Sequence, residues 1–369
     1  MREPVGYPAG TGDRPDGWMA PDPTSGEAAA SGSTVRRLVP RMAVGLVLAI
    51  VVASALALFA DARELGRALR DFPWWLFVPV LALTLLNYAL RWVKWHVYLE
   101  RIGVRAVPPP TSALVFLAGF SMSVTPGKVG ELIKGVYLRR LAGTPIARTG
   151  AVIAAERITD GLAMLALAGI GLTQFSYARP GLAAAALGAL LVVLVLQRPR
   201  LIAAILARLE HWPRLGRAVG HASGFLDASN ALYRPRLLLG AVALGVVSWA
   251  GECVAFFLIL WGLDVPASWH LLLVATFVLS ASSIFGALSV LPGGLGVAEA
   301  SIAGMLLLLV DDPAMTRGVA VAATLLIRFA TLWFAVFLGV LALAMLHRVV
   351  AARDDGRALD PIRHGSEAT

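Results

Sequence analysis

Long apolar runs alternate with short basic segments along this chain, and that pattern predicts helices that cross a membrane. Six spans are expected, at about 42–60, 74–95, 149–175, 181–196, 237–262 and 317–346. Most of these runs reach the roughly 18 apolar residues that a spanning helix needs. Two further apolar stretches, about 111–138 and 270–310, are broken in the middle. The first carries Ser123-Val124-Thr125-Pro126-Gly127-Lys128-Val129-Gly130-Glu131. The second carries Ser289-Val290-Leu291-Pro292-Gly293-Gly294-Leu295-Gly296, followed by Glu299. Proline removes a backbone donor and clashes with the preceding turn, while glycine lets a helix stop and restart. Matching Gly/Pro-broken segments in two halves of a chain are a sequence pointer to a transporter's binding site.

The expected fold is an all-α polytopic membrane protein. Six spanning helices and two re-entrant Pro-Gly-broken hairpins form an inverted repeat. Half one covers 39–175 and half two 180–347, each reading span, span, hairpin, span. A disordered cytoplasmic tail is expected over 1–38, a basic cytoplasmic segment over 197–236, and a cytoplasmic tail over 348–369. Within the basic segment, Leu201, Ile202, Ile205, Leu206 and Leu209 recur at the spacing of a helix lying on a membrane face. Ala60-Asp61-Ala62 resembles a signal-peptidase site. The apolar run before it is too long and too far from the N-terminus for a signal peptide, so an uncleaved anchor is expected.

Composition agrees. Of 369 residues 58% are hydrophobic and 15% charged, against about 25% charged in soluble domains; the mean hydropathy is +0.75. The net charge of +9 lies mostly in loops, where it sets orientation and meets lipid headgroups rather than nucleic acid. Both termini and the connections 96–110, 139–148 and 197–236 are then expected on the cytoplasmic side. The connections 61–73, 176–180, 263–269 and 311–316 fall outside. Arg63, Arg67 and Arg70 in the first outer connection fit this rule poorly. The single cysteine, Cys253, excludes an internal disulfide, and six scattered histidines give no metal-ligand spacing. No cofactor or metal is expected, and oligomeric state is not indicated.

Charges inside spans are costly and mark function by default. The expected anion or headgroup site comprises Pro126, Gly127, Lys128, Gly130, Arg157, Pro292, Gly293, Gly294 and Arg328. Half-helices that restart after Pro-Gly present free N–H groups and a positive dipole end, to which the cations add full charge. Glu131, Glu156, Asp160, Glu252 and Glu299 are expected as acidic partners or proton-coupling groups. Asp160 lies 11 residues beyond Thr149 and Arg328 lies 11 beyond Arg317. Either offset is about 16 Å of helix, near the middle of a core about 30 Å thick. Bland readings stand beside these. Arg157–Asp160 could be an in-helix pair, Glu299 could complement a helix dipole, and Lys134 could mark the cytoplasmic end of its hairpin. Arg91 and Lys94 can snorkel to the near interface, with Trp74 and Trp75 at one end of that span and Trp92 and Trp95 at the other as interfacial aromatics. Arg328 has no partner within four residues, so it requires a tertiary one; Glu252 is similarly alone.

Thr125-Pro126-Gly127-Lys128-Val129-Gly130-Glu131, Arg139-Arg140, Glu156-Arg157-x-x-Asp160 and Pro292-Gly293-Gly294-Leu295-Gly296-x-x-Glu299 together resemble the lysylphosphatidylglycerol synthase transmembrane-region family, over about residues 40–347. The resemblance implies a prokaryotic inner-membrane protein with a flippase-like domain. In the multiple peptide resistance factors that domain moves aminoacylated phosphatidylglycerol outward. Those proteins also carry a soluble aminoacyl-transferase domain, for which the 22 residues after the last span have no room. Synthesis of lysyl-lipid is therefore not expected of this chain. The leading expectation is translocation of a phospholipid or lipid-linked phosphate headgroup between leaflets. No phosphate-binding loop for ATP is visible. The alternatives are a polyprenyl-phosphate-dependent glycosyl or headgroup transferase, in which Glu156, Asp160 or Glu299 acts as base, and a non-transporting membrane partner of such an enzyme.

Overall fold

A computed structural model describes residues 45, 47, 48, 50–125, 131–172, 179–198 and 222–358. The first Pro-Gly tip, with Pro126, Gly127, Lys128 and Gly130, lies outside the described residues. So do the expected N-terminal tail, the surface helix expected around 201–209 and residues 359–369 of the C-terminal tail.

The described chain is helical throughout, with no strand. Its helices are α1 Ile50–Phe59, α2 Ala62–Asp71, α3 Phe77–Arg101, α4 Pro109–Ala118, α5 Ile133–Ala142, α6 Ile146–Leu172 and α7 Arg179–Leu196. After these come α8 Ala222–Leu232, α9 Pro235–Gly262, α10 Trp269–Leu288, α11 Val297–Leu309, α12 Arg317–Arg328 and α13 Phe334–Ala358. Local sequence sets the ends. Proline occupies the first turn of α4 and α9, where no amide partner is lost. The hydroxyls of Ser268 and Thr316 accept the first free amides of α10 and α12. Gly143 closes α5 in the left-handed conformation, donating back to Arg139 O.

Among the described residues, five stretches are long and apolar enough to cross a membrane: Trp74–Arg101, Pro235–Gly262, Trp269–Leu288, Pro292–Leu309 and Arg317–Ala351. Two of these, α10 and the stretch ending in α11, are the arms of the second broken segment. α6 is 27 residues long, about 40 Å, but Glu156, Arg157 and Asp160 interrupt its apolar character. Part of the expected basic segment is not a free surface: α8 packs against α6, and Leu232 and Tyr233 behind it are buried. Burial pushes the Tyr233 phenol up to about 12, so it packs as a neutral ring.

Three packing relations organise the interior. α3 lies along α9, joined by Asn87 Nδ2 donating to Ser248 O at 3.0 Å and Ser248 Oγ donating to Asn87 O at 3.4 Å. α6, from the first half, packs on α10 of the second. Gly171 permits this, since a Cβ there would sit 2.6 Å from that of Phe277. Conversely α13, from the second half, packs on α4 of the first and on the turn Gly119–Met122, with Gly339 directly against the Phe120–Ser121 backbone.

The second broken segment is described in full. Ser289 ends α10 and donates to Gly286 O. Val290 has φ 57, a left-handed conformation that a β-branched residue rarely takes. Gly293, Gly294 and Gly296 follow at φ 61, 68 and 87. Gly294 lies so close to α10 that a Cβ would be 2.9 Å from Gly286 Cα. α11 then starts, and Glu299 accepts the Gly296 amide at 2.7 Å. The motif therefore encodes a turn that folds back on α10 and restarts a helix with a carboxylate at its N-terminus.

Candidate functional site

One cavity of about 580 Å³ lies between the halves. α3 contributes Tyr88 and Arg91, the first broken segment Phe120, Ser123 and Glu131, and α6 Arg157 and Asp160. From the second half come Trp249 and Glu252 on α9, Ser282 and Ser283 on α10, the turn residues Gly293 and Gly294, then Arg328, Thr331 and Leu332. Seven of the expected site residues thus share one wall system: Glu131, Arg157, Asp160, Glu252, Gly293, Gly294 and Arg328. Glu156, Pro292 and Glu299 do not line it. The two motifs approach each other, since a Cβ on Gly293 would lie 3.6 Å from Val124 Cγ1.

The ion pairs join side chains from different helices and broken segments. Asp160 does not take Arg157 as its partner. It accepts Lys94 Nζ at 2.5 Å and lies 3.4 Å from Arg91 Nε. Arg91 and Lys94 therefore do not snorkel to an interface; both are buried. Arg91 is also held over Phe120 and Trp249, at 5.4 and 5.5 Å from their ring centres. The reason is periodic. Asn87, Arg91, Lys94 and Tyr98 share one face of α3, and that face turns inward.

Lys134 likewise does not mark the end of a hairpin. It is 0% exposed, with Nζ 3.1 Å from Glu156 Oε2 and 3.7 Å from Glu131 Oε2. Its ammonium also sits 4.7 Å from the Trp95 ring and 4.8 Å from Phe116. Trp95 is thus a buried wall and not an interfacial aromatic. Gly119 makes room for Lys134: a Cβ there would overlap the lysine stem. Arg157, its side chain 28% exposed, reaches Glu131 at 3.3 Å and faces the cavity.

The second half is simpler. Arg328 finds the tertiary partner it required. Its Nε donates to Glu299 Oε1 at 2.6 Å and its Nη2 to Gly293 O at 2.8 Å. Glu299 therefore complements the start of α11 and holds the arginine at the same time. A π-turn, Phe329–Trp333, follows Arg328 immediately, and Tyr88 Oη donates to Thr331 O within it at 2.7 Å. Glu252 is 2% exposed and, among the described residues, forms no ion pair.

Among the described residues these buried and half-buried groups balance. Arg91, Lys94, Lys134, Arg157 and Arg328 face Glu131, Glu156, Asp160, Glu252 and Glu299. Half one holds four cations and three acids; half two holds one cation and two acids. A second cavity, about 390 Å³, is also lined by Arg328. Apart from Arg328 and Glu299 its lining is apolar, including Val52, Leu56, Leu69, Phe77 and Phe329. Arg328 thus lines both a charged chamber and an apolar groove. Among the described residues no cluster of His, Cys, Asp and Glu could hold a metal ion.

Comparison with known proteins gives two findings. The family described as lysylphosphatidylglycerol synthase TM region matches residues 42–339. A stretch of 140 residues, 37% of this chain, is 23% identical to glycosyltransferase AglD of Haloferax volcanii. That stretch spans 22% of AglD, about a fifth of its length.

Proposed function

The chain belongs to the lysylphosphatidylglycerol synthase transmembrane-region family, and from that premise we propose that it moves a phosphate-bearing lipid headgroup between the leaflets of a prokaryotic inner membrane. The observation that carries this reading is the shared chamber, in which Arg157 and Arg328 each stand in the wall and each is held by a glutamate that follows a Pro-Gly tip. A phosphate would compete for both arginines. The displaced glutamates would keep their second partners, Lys134 for Glu131 and the Gly296 amide for Glu299. The acyl chains would stay in lipid, and the apolar groove beside Arg328 offers one of them a path while the headgroup crosses. Such an arrangement is a flippase-like multi-pass membrane protein using a polar cavity at membrane depth.

The proposed architecture is six spans and two re-entrant hairpins in an inverted repeat, with both termini cytoplasmic. Reciprocal packing supports it: the third span of each half lies on the first hairpin arm of the other, and the second spans pair. Purified protein in liposomes should accelerate exchange of headgroup-labelled lipids between leaflets. No acceleration across a broad panel of anionic and zwitterionic lipids would refute the reading.

The similarity to AglD favours a second reading, a transferase that acts on a lipid-linked phosphate sugar with Asp160 or Glu252 at the cavity wall as base. Incubating the purified protein with polyprenyl-phosphate sugars and an acceptor lipid tests it, and formation of a glycosylated product would favour it.

A further inference from the structure

Arg63, Arg67 and Arg70 stand at i, i+4 and i+7 on α2 and form one exposed stripe. The opposite stripe is apolar: Leu65 is buried, and Ala68 and Leu69 pack against the core. The helix is fixed in place. Asp61 accepts the Arg63 amide at 3.0 Å, and Glu64 Oε2 accepts the Gly318 amide at the start of α12 at 3.2 Å. A Cβ on Gly318 would meet Glu64 Cγ at 2.5 Å, so the contact admits no larger residue without a shift. Arg317 is exposed beside this junction, its guanidinium 5.3 Å from the centre of the Phe59 ring. Trp74 and Trp75 follow α2 and are 55% and 66% exposed, as interfacial aromatics are. Among the described residues none of the three stripe arginines forms an ion pair.

We propose that this stripe is a phosphate-binding surface for anionic phospholipid headgroups, on the rim of the apolar groove that Leu69 and Trp74 help to line. An amphipathic helix with its apolar face docked and arginines outward lies in the headgroup layer. Guanidinium groups bind phosphate oxygens in bidentate fashion. Charge alone does not explain their position. On the proposed orientation α2 lies at the outer face, where arginines run against the usual cytoplasmic excess, so a local ligand gives them a reason to be there. Each basic residue near an anionic surface raises binding severalfold. Asp61, Glu64 and Asp71 balance the three arginines in net charge, so the enrichment rests on the one-sided exposure of the stripe and on Arg317 beside it, and amounts to about fivefold.

The test uses the full chain in nanodiscs of phosphatidylglycerol or of phosphatidylcholine and follows amide hydrogen exchange over residues 62–71. Exchange should be about fivefold slower in phosphatidylglycerol, and high salt should erase the difference by screening. The triple variant R63Q/R67Q/R70Q should lose the slowing while α9 and α10 keep their protection. Equal exchange of the wild-type chain in both lipids, a difference that survives high salt, or a triple variant that still responds to phosphatidylglycerol would each overturn the proposal. A triple variant that fails to fold leaves the wild-type lipid and salt comparisons to decide. None of these readouts depends on lipid translocation.

Discussion

The two halves solve the same problem with different amounts of charge. Each places an arginine in a long helix and holds it with a glutamate just beyond a broken segment, Arg157 with Glu131 and Arg328 with Glu299. In half one that pair belongs to a four-member cluster with Lys134 and Glu156, beside a second cluster in which Asp160 meets Arg91 and Lys94. In half two the pair stands with a carbonyl, a helix N-terminus and a π-turn. A buried charge that loses its partner is strongly destabilising. Half one therefore couples several buried charges, whereas opening the Arg328 pair disturbs one buried carboxylate, Glu299, which keeps the Gly296 amide. On the proposed function, the wall with fewer coupled charges is the one expected to move.

Breaking the four-member cluster should have the largest effect. Lys134→Met leaves Glu156 buried without its cation, while Glu131 keeps Arg157, and stability should fall by about 3–5 kcal/mol. Thermal unfolding in detergent would show it as the largest drop in melting temperature of the set. K134M/E156Q should recover a good part of that loss, because the two groups are coupled. Gly119→Ala comes next. Its methyl group would meet the lysine stem, at a cost of about 1–3 kcal/mol in the same assay. Glu299→Gln should cost about 1 kcal/mol. The contact it weakens is charge-assisted, but Arg328 is 16% exposed and keeps the Gly293 carbonyl. Glu252→Gln should be smallest, neutral or slightly stabilising, because it removes a buried charge that has no ion-pair partner among the described residues. Glu252→Gln should nevertheless slow leaflet exchange. A loss of stability comparable to that of Lys134→Met would show that Glu252 belongs to a coupled cluster of its own and would erase the contrast.

The helical, multi-pass character was legible in the run lengths alone, and so was the need for a partner to Arg328. The second Pro-Gly motif could be read nearly in full. Its glycines announced the backward turn, and Glu299, three residues past Gly296, announced the capped restart. What escaped was direction. Arg91 and Lys94 lie close enough to the end of α3 to snorkel outward, and only their register with Asn87 and Tyr98 reveals an inward stripe. Lys134 escaped because the space it fills comes from Gly119, far back in the chain, and from Trp95, which looked like an interfacial residue. For Asp160 the spacing offered an in-helix pair with Arg157 as one alternative, but a helix three elements earlier supplies two cations. Pairings of this kind depend on tertiary packing, which spacing within one helix does not encode.

The most direct test of the central claim is leaflet exchange of headgroup-labelled phospholipid in liposomes carrying the wild-type protein or R328Q/E299Q, which removes the movable pair without leaving a lone charge. The account predicts fast exchange with the wild type and a loss of about tenfold or more with the double variant, at nearly unchanged melting temperature. Exchange equally fast in both, or no faster with the wild type than in empty liposomes, would contradict it.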